Sequence, residues 1–297
     1  MLSPRIAILG NPDSYYARDL QRAAKEIGLT TAPDVVSFSD LFVDSQSLHH
    51  SLEAYDSVLV RTMPLGSLEQ VIFRMNALHA IQRRGTRIFN QPRTLEIAID
   101  KWLTLDLASQ SGLAIPRTRA CQTREQALIA FESLGRDVVV KPLFGGEGRG
   151  LIRVDNIDMA HRVFSTLEQI QAVIYLQEFV PHHGYDIRVL FVGEEYFCVA
   201  RHASNNDWRT NLSRGGHALP HAITEHQLEM ARNAKQLVQG DVIGVDILPT
   251  IDGRDLLLEV NAVPGWKGVA KSCDVDIAQR VLQLAINQVT VHRQNPE

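Results

Sequence analysis

Three oxygen-bearing side chains, Asp246, Glu259 and Asn261, lie in two short apolar runs near the C-terminal end of the chain. Both runs are typical of β-strands, and the Asp252-Gly253 dipeptide between them indicates a two-residue hairpin turn. Such a turn places Asp246 opposite Glu259, and the alternation of strand side chains puts Asn261 on the same face. The sequence therefore predicts a cluster of hard oxygen donors on one face of a hairpin.

Two carboxylates held directly opposite each other repel, by roughly 3 kcal/mol at a separation of about 5 Å and an effective dielectric constant of about 20. A cation between them would remove this repulsion. Carboxylate and amide oxygens suit Mg²⁺, and a small protein ligand set leaves coordination positions for the phosphates of a nucleotide. An ordinary hairpin with a solvated polar face is the alternative, and it would be preferred if the pattern stood alone.

A second candidate site is a lysine that ends an apolar strand and precedes a glycine-rich loop. Lys141 follows three valines, and Gly145, Gly146 and Gly148 come within the next seven residues. A buried lysine is costly without an anionic partner, and glycines allow backbone N–H groups to close on phosphate oxygens. The segment is not a Walker A motif, because its lysine precedes the glycines. We interpret it as a phosphate-binding lid, with a flexible hairpin loop as the alternative.

Three arginines are predicted to converge on the carboxylate hairpin. Arg188 lies on a strand of alternating polarity, Arg201 on the strand that follows, and Arg209 in a polar loop that also contains Asn211. Guanidinium groups suit phosphoryl and carboxylate oxygens, because their charge is permanent and their donors form a planar fork. A solvated loop is the alternative for the last two residues.

Length and composition indicate a globular enzyme-sized protein. Of the 297 residues, 45% are hydrophobic and 22% are charged, with a formal net charge of −4. These values disfavour disorder and nucleic-acid binding. The three cysteines are far apart and lack CxxC spacing, and neither a signal-peptide pattern nor a membrane-length apolar run is present. We expect a cytoplasmic homo-oligomer with neither nucleic acid nor a membrane as a partner.

The predicted elements divide the chain into three ranges. Residues 1–92 form a small open α/β sheet, in which no GxGxxG follows the first strand, so dinucleotide binding is not expected. Residues 93–180 contain mostly antiparallel strands after a helix predicted from Leu95 to Ser111. Residues 181–297 contain the arginines and the carboxylate hairpin.

Seven motifs along the chain match one family in their order. They are Asp100-Lys101, VVVKPLFGGEGRG, QEFV, DIRVLFVG, DWRTNLSRGG, GVDIL and LLLEVNAVPG. This order resembles the ATP-grasp superfamily and, within it, the RimK-like α-L-glutamate ligases, over residues 1–290. The resemblance implies an α/β fold with α+β lobes. Residues 1–92 would be the pre-ATP-grasp domain, 93–180 the central lobe with the lid, and 181–297 the C-terminal lobe with the metal site.

The resemblance also implies a reaction and its residues. The reaction is ATP-dependent and ADP-forming, and it joins a carboxylate to an amine through an acyl phosphate. The implied nucleotide contacts, besides the lid glycines, are Lys101, Lys141, Glu178, Val180 and Asp186. The implied ligands of Mg²⁺, of which we expect two ions, with Mn²⁺ as a substitute, are Asp246, Glu259 and Asn261. The implied contacts of the transferred phosphoryl group and the substrate carboxylate are Arg188, Arg201, Arg209 and Asn211.

The substrates are less well defined by sequence. The resemblance implies L-glutamate or a similar amino acid, added to the C-terminus of a ribosomal protein or to a pterin-type coenzyme such as tetrahydromethanopterin. The stretch Ala200-Arg201-His202 departs from the pattern of the ribosomal-protein-modifying members, which leaves the acceptor open. The alternatives are a ligase of the lysine-biosynthesis or D-alanine-D-alanine type and a non-catalytic nucleotide-binding regulator. The regulator is disfavoured because all three metal ligands are present.

Overall fold

Three β-sheets follow one another along the chain. The computed structural model describes residues 4–46, 49–145, 149–204, 207–210 and 215–294. Two predicted lid residues, Gly146 and Gly148, and the predicted loop residue Asn211 lie outside the described residues. No helix within the described ranges is long and apolar enough to cross a membrane.

The N-terminal sheet is open and fully parallel, as predicted, with the strand order β2-β1-β3-β4. Its strands are β1 (Ile6–Leu9), β2 (Asp34–Val36), β3 (Ser57–Val60) and β4 (Arg87–Phe89). Its helices are α1 (Tyr15–Glu26) and α2 (Leu68–Arg83). Ser14 begins α1, because its hydroxyl oxygen accepts a hydrogen bond from the Ala17 N–H at 3.1 Å.

The single helix predicted from Leu95 to Ser111 is wrong. The chain forms two helices, α3 (Pro92–Ile99) and α4 (Lys101–Gln110). Asp100 separates them, because its backbone is extended and its carboxylate accepts from the N–H groups of Trp102 and Leu103 at 2.9 and 3.0 Å. An aspartate in this position caps a new helix. The break therefore makes Lys101 the first residue of α4.

The central sheet is antiparallel throughout, in the order β5-β8-β6-β7. Its strands are β5 (Thr118–Cys121), β6 (Val138–Lys141), β7 (Ile152–Val154) and β8 (Ile174–Glu178). Helices α5 (Arg124–Ser133) and α6 (Ile157–Gln169) pack on it. Phe131 and Phe164 meet edge to face at 6.3 Å between ring centroids, in a hydrophobic core that belongs to this sheet alone.

The C-terminal sheet is also antiparallel, in the order β11-β10-β9-β12-β13. Its strands are β9 (Tyr185–Val192), β10 (Glu195–His202), β11 (His217–Pro220), β12 (Val242–Pro249) and β13 (Asp255–Asn261). Its helices are α7 (Glu225–Val238), α8 (Lys267–Cys273) and α9 (Ile277–Gln294). Thr224 and Gln227 form a capping box at the start of α7.

The pairing predicted for the carboxylate hairpin is confirmed where it concerns the site. Asp246 pairs with Glu259, and Gly244 pairs with Asn261. The strands are β12 and β13, so the oxygen donors lie at the edge of a five-stranded sheet rather than on an isolated hairpin.

The predicted two-residue turn of that hairpin is wrong. Thr250 and Arg254 close the turn through a 2.8 Å hydrogen bond from N–H to carbonyl, which leaves three residues between them. The register then shifts by one residue, because Ile247 pairs with Leu257 and Leu258 is left as a β-bulge. The bulge compensates for the odd loop length, and so the pairing at Asp246 matches the prediction.

The N-terminal and C-terminal sheets share two hydrophobic cores. One core joins Leu78 of α2 to Val245 of β12, and the other joins Leu20 of α1 to Trp266 and to Val281 of α9. The N-terminal sheet therefore does not stand apart from the C-terminal one. The domain boundaries at residues 92 and 180 stay a prediction.

Candidate active site

Four alternating charges form a continuous row across the C-terminal sheet. Arg188 donates to both carboxylate oxygens of Asp246, through Nε and, at 2.7 Å, through Nη2. Arg201 donates to Asp246 at 2.8 Å and to both oxygens of Asp186 at 2.7 and 2.6 Å. The Thr210 hydroxyl donates to Asp186 at 2.6 Å. All five side chains are buried, so the row is satisfied internally.

Strand register explains why these residues meet. Asp186 and Arg188 are two residues apart on β9 and so share a face. Arg201 of β10 pairs with Asp186, and Asp246 of β12 pairs with Arg188 on the other side of β9. The positive charge that Asp246 requires is therefore supplied by Arg188 and Arg201, which belong to the same sheet.

Glu259 differs from every member of this row. It lies opposite Asp246, yet its carboxylate makes no hydrogen bond or ion pair to a residue that the structure describes. Burial raises the pKa of Glu259, and the charge of Asp246 raises it further. Burial would also raise the pKa of Asp246, but Arg188 and Arg201 outweigh burial and hold it below its usual value.

Two lysines from different elements face Glu259 across the cleft and interact with it electrostatically. Lys141 ends β6 and donates to the Gln177 side-chain oxygen at 2.5 Å, and burial lowers its pKa to about 8. Lys101 begins α4 and donates to the carbonyl oxygen of Gly145, and burial lowers its pKa as well. Neither ammonium group is paired with a carboxylate among the described residues.

A cleft of about 110 Å³ lies between the central and C-terminal sheets. Eight predicted site residues line it: Lys141, Glu178, Val180, Asp186, Arg201, Arg209, Asp246 and Glu259. Apolar and aromatic side chains complete the lining, among them Val139, Phe179, Trp208, Leu248 and Leu258. Ligand pockets usually occupy roughly 300–1,000 Å³. A nucleotide-sized ligand would therefore require the two sheets to move apart.

Four other predicted residues that the structure describes, Lys101, Gly145, Arg188 and Asn261, lie outside this lining. Lys101 is bonded to Gly145, whose φ of 110° favours glycine. Arg188 donates a hydrogen bond to the lining residue Asp246 at 2.7 Å. The Asn261 side-chain oxygen accepts from the Val263 N–H at 2.8 Å, which fixes its direction.

The structure brings all three predicted arginines to the hairpin region, but in different ways. Arg188 and Arg201 bond Asp246 directly. Arg209 lines the same cleft as Asp246 and Glu259, while its Nε donates to Asp207 at 2.9 Å. Glu178 is held similarly, because Arg117 donates to it from its backbone N–H at 2.8 Å and from Nε at 2.6 Å.

Two polar residues of the site were missed from sequence. Gln177 is 2% exposed and links Lys141 to the Thr118 hydroxyl, to which its amide donates at 3.0 Å. Thr210 completes the donors to Asp186. The available signal for Gln177 was a polar side chain in an otherwise apolar strand; Thr210 carried no such signal because it lies in a polar loop.

The donor set fits a divalent cation only together with ligands from outside the protein. Asp246 Oδ1 accepts one hydrogen bond and Oδ2 accepts two, so a lone pair remains on Oδ1, and Glu259 has no bond to any residue in the described ranges. Among the residues described, no three His, Cys, Asp or Glu side chains gather as a self-sufficient metal site. Mg²⁺ held jointly with phosphate oxygens matches such a partial set.

The fold and this site define an ATP-grasp enzyme. The family model of the RimK-like ATP-grasp domain matches residues 98–285, which is more than half of the chain. The chain belongs to the RimK-like ATP-grasp family. The predicted family, fold class and enzyme class, a ligase that forms carbon–nitrogen bonds, are thereby confirmed.

Relatives match over nearly their whole length. The chain is 29% identical to the tetrahydromethanopterin:α-L-glutamate ligase of Methanosarcina acetivorans, covering 93% of this chain and 97% of that one. It is 31% identical to the ribosomal protein bS6–L-glutamate ligase of Escherichia fergusonii, covering 94% of each. In fold it matches the ATP-grasp ligase PsnB complexed with minimal precursor, with a TM-score of 0.76 and 20% identity over 97% of this chain and 100% of that one.

Proposed function

We propose that the protein joins L-glutamate, or a similar amino acid, to a carboxylate acceptor and forms ADP and phosphate from ATP. The observation that carries this proposal is the contrast between Glu259, which bonds no described residue, and Asp246, which accepts three hydrogen bonds from two arginines. An unpaired carboxylate facing two lysines suits a centre that receives phosphates and a metal ion. The names of the two relatives support L-glutamate as the amino acid.

In the proposed reaction, the acceptor carboxylate attacks the γ-phosphorus of ATP and forms an acyl phosphate, with ADP as the leaving group. The amine of the amino acid then attacks the acyl carbon, and phosphate leaves as the amide forms. This chemistry needs no protein nucleophile. It needs positioned cations and the exclusion of water, because water would hydrolyse the acyl phosphate.

The chain's own residues divide this work. Lys101 and Lys141 bind the phosphates, and the glycine loop from Gly145 closes over them. Mg²⁺ at Asp246, Glu259 and Asn261, as one or two ions and with Mn²⁺ as a substitute, neutralises phosphate charge when bound.

The remaining roles concern the nucleotide base and the transferred group. Glu178 and Val180 border the adenine. Arg201 and Arg209 line the cleft where the phosphoryl group passes, with Arg188 and Asp186 holding the row in place. The central and C-terminal lobes open to admit the nucleotide and close on it.

The acceptor is a small acid or a protein C-terminus, and the relatives named above suggest a pterin-type coenzyme and a ribosomal protein as first candidates. We further propose a cytoplasmic homo-oligomer that binds neither nucleic acid nor membranes. The net charge of −4 supports the absence of nucleic acid as a partner.

Hydroxylamine trapping tests the proposed reaction. The protein is incubated with ATP, Mg²⁺ and hydroxylamine, together with tetrahydromethanopterin or a peptide that ends in the bS6 C-terminus. A hydroxamate should form only when all components are present, and the nucleotide product should be ADP. Production of AMP and pyrophosphate would show an acyl-adenylate route instead and would remove the proposal.

A further inference from the structure

Arg61 is a buried cation without a carboxylate partner among the described residues. The residue is 8% exposed, and the side-chain hydrogen bond that it forms within the described ranges runs from Nη2 to the carbonyl oxygen of Pro264 at 2.6 Å. Its Nε is enclosed and meets no hydrogen-bond partner among those residues. The guanidinium carbon lies 4.2 Å from the ring centroid of Trp266 and 5.2 Å from that of Tyr16.

Such an environment is costly for a guanidinium group. Buried charges in proteins are normally paired, and arginine in particular uses its fork to hold a carboxylate through two bonds. The aromatic faces recover part of the lost hydration through cation–π attraction. Burial nevertheless lowers the pKa of Arg61 to about 10, since no neighbouring carboxylate opposes it. By contrast, the buried arginines of the charged row, Arg188 and Arg201, are both paired with aspartates.

The position of Arg61 in the fold is one where open α/β sheets bind ligands. Arg61 directly follows β3, and its N–H donates to the carbonyl oxygen of Leu9 at the end of β1 at 2.9 Å. In the strand order β2-β1-β3-β4, the chain leaves β1 toward one edge and β3 toward the other. The crevice at the carboxyl ends of β1 and β3 is therefore the topological switch point of this sheet.

Two neighbours make this crevice suitable for an anion. Helix α1 has twelve residues and begins just beyond β1, so its positive N-terminal end faces the same edge. Lys267, at the start of α8, lies over the Tyr15 ring at 5.2 Å. Asp19 is the nearest described carboxylate contact of this cluster, and it is engaged by Trp266 Nε1 and by Arg22.

Arg61 also contacts the segment that leaves the carboxylate hairpin. Pro264 lies three residues after Asn261. It packs beside Gly244 and Arg188, because a Cβ added to Gly244 would lie 3.0 Å from Pro264 Cβ and 3.1 Å from Arg188 Nη1. A ligand held by Arg61 would thus lie next to the charged row.

We propose that Arg61 binds a carboxylate of a substrate, at the switch point of the N-terminal sheet. This inference rests on the proposed function and names a binding residue for it. The carboxylate belongs either to the amino acid, which keeps its carboxylates through the reaction, or to the acceptor. A purely structural clamp between Arg61, Trp266 and Pro264 is the competing interpretation.

Calorimetric titration of acid and amide pairs tests the inference. The full chain is first saturated with Mg²⁺ and a non-hydrolysable ATP analogue. It is then titrated with L-glutamate, L-glutamine and L-isoglutamine, and separately with a bS6 C-terminal peptide in its free-acid and amidated forms. Wild-type protein should prefer an acid over its amide by about tenfold or more, as expected for a charge-assisted hydrogen bond.

The variant Arg61→Met should weaken binding of that acid by about the same factor and leave binding of its amide nearly unchanged. The preference would then fall to near unity. The ligand pair that loses its preference identifies the source of the carboxylate. Arg61→Lys, which keeps the charge but not the fork, should lose part of the preference, and it serves as the readout if Arg61→Met does not fold.

Arg74→Met is the matched control, because Arg74 also donates to a proline carbonyl, that of Pro64 at 2.7 Å, and faces the Phe38 ring at 5.7 Å. It should leave every affinity unchanged. An Arg61 variant that weakens acid and amide equally, or that keeps the wild-type preference, would overturn the carboxylate assignment alone. Wild-type protein that binds the ATP analogue but neither glutamate nor the peptide would overturn the proposed substrates and this inference together.

Discussion

The two carboxylates that face each other in the cleft, Asp246 and Glu259, differ in how their charges are compensated. Asp246 accepts three hydrogen bonds from two arginines and belongs to a buried row that is charge-balanced. Glu259 interacts electrostatically with Lys101 and Lys141 across the cleft and forms no hydrogen bond with a described residue. Their pKa values consequently move in opposite directions from their usual values. The charge of Asp246 is therefore compensated without a ligand, whereas the charge of Glu259 is not.

This difference distinguishes the residues that stabilise the fold from the residues that bind the ligands. A row that satisfies itself can form when the sheet forms, because each arginine meets its aspartate through strand pairing. Glu259 and Lys141 attract each other, but burial outweighs this attraction, because the pKa of Glu259 is raised and that of Lys141 is lowered. Both charges therefore lower stability until a ligand arrives. Four substitutions or conditions would break or sharpen this contrast, from the largest expected effect to the smallest.

Asp246→Asn should have the largest effect on stability. It leaves Arg188 and Arg201 with too few acceptors in a buried site, and removing one partner of a buried ion pair typically costs about 3–5 kcal/mol. The free energy of unfolding in urea measures this loss. A decrease under about 1 kcal/mol would mean that the row is not part of the framework.

Glu259→Gln should instead impair turnover and spare the fold. We expect ATP-dependent product formation to fall by about 10²- to 10³-fold, as when one preorganised electrostatic contact is removed from an active site. The free energy of unfolding at neutral pH should stay the same or rise, because a buried unpaired charge is removed. Unchanged turnover at saturating Mg²⁺ would exclude Glu259 from the metal site.

The contrast between these carboxylates could be predicted only in part. Alternation and hairpin pairing placed Asp246 opposite Glu259, and strand periodicity placed Asp186 and Arg188 on one face, because both rules are local. The pairing of Asp246 with Arg201, 45 residues away, depends on the strand order of the sheet, which no local pattern encodes. The sequence therefore brought the arginines to the hairpin as contacts for phosphoryl and carboxylate oxygens of the substrates, without indicating that two of them already pair with Asp246.

The same limit applies to the fold. The caps of α1, α6 and α7 follow a local rule, since Ser14, Asn156 and Thr224 each accept a hydrogen bond from a backbone N–H three residues later. The break at Asp100 was not predicted, because the residues on both sides of it have helical periodicity. The surroundings of Arg61 could not be predicted from the sequence. They depend on the positions of β1 and β3 in the sheet and on an aromatic ring about 200 residues later.

Lys141→Met should weaken nucleotide binding without destabilising the protein. Loss of one charge-assisted contact to phosphate corresponds to about 10- to 100-fold in affinity. Stability should be unchanged or higher, because methionine removes a desolvated ammonium group and fills a similar volume. Calorimetry with MgADP and urea unfolding measure the two effects. Lys235→Met is a suitable control, because Lys235 is paired with Glu194 and the Gly193 carbonyl, away from the cleft.

The smallest expected effect is a pH dependence of nucleotide binding that comes from the same lysine. Burial lowers the pKa of Lys141 from the ordinary 10.5 to about 8, so the ammonium group loses its proton within an accessible range. MgADP affinity of the wild-type protein should therefore decrease several-fold between pH 7.5 and 9.5. The affinity of Lys141→Met should change less over this range, with Lys101 accounting for what remains, because its pKa is also lowered.

The same titration of Lys141 should change the stability of the protein in the direction opposite to its effect on nucleotide affinity. Between pH 8 and 10.5 the unfolded chain binds more protons at this lysine than the folded protein does, so the free energy of unfolding of ligand-free protein should rise with pH in that range. This rise should be smaller in Lys141→Met. A buried lysine that binds phosphate should lower nucleotide affinity and raise the stability of the ligand-free protein as pH increases, because both effects come from loss of its charge. If wild type and Lys141→Met instead showed parallel pH profiles in both affinity and stability, Lys141 would be a compensated charge, as Asp246 is. The contrast between the two sides of the cleft would then rest on Glu259 alone.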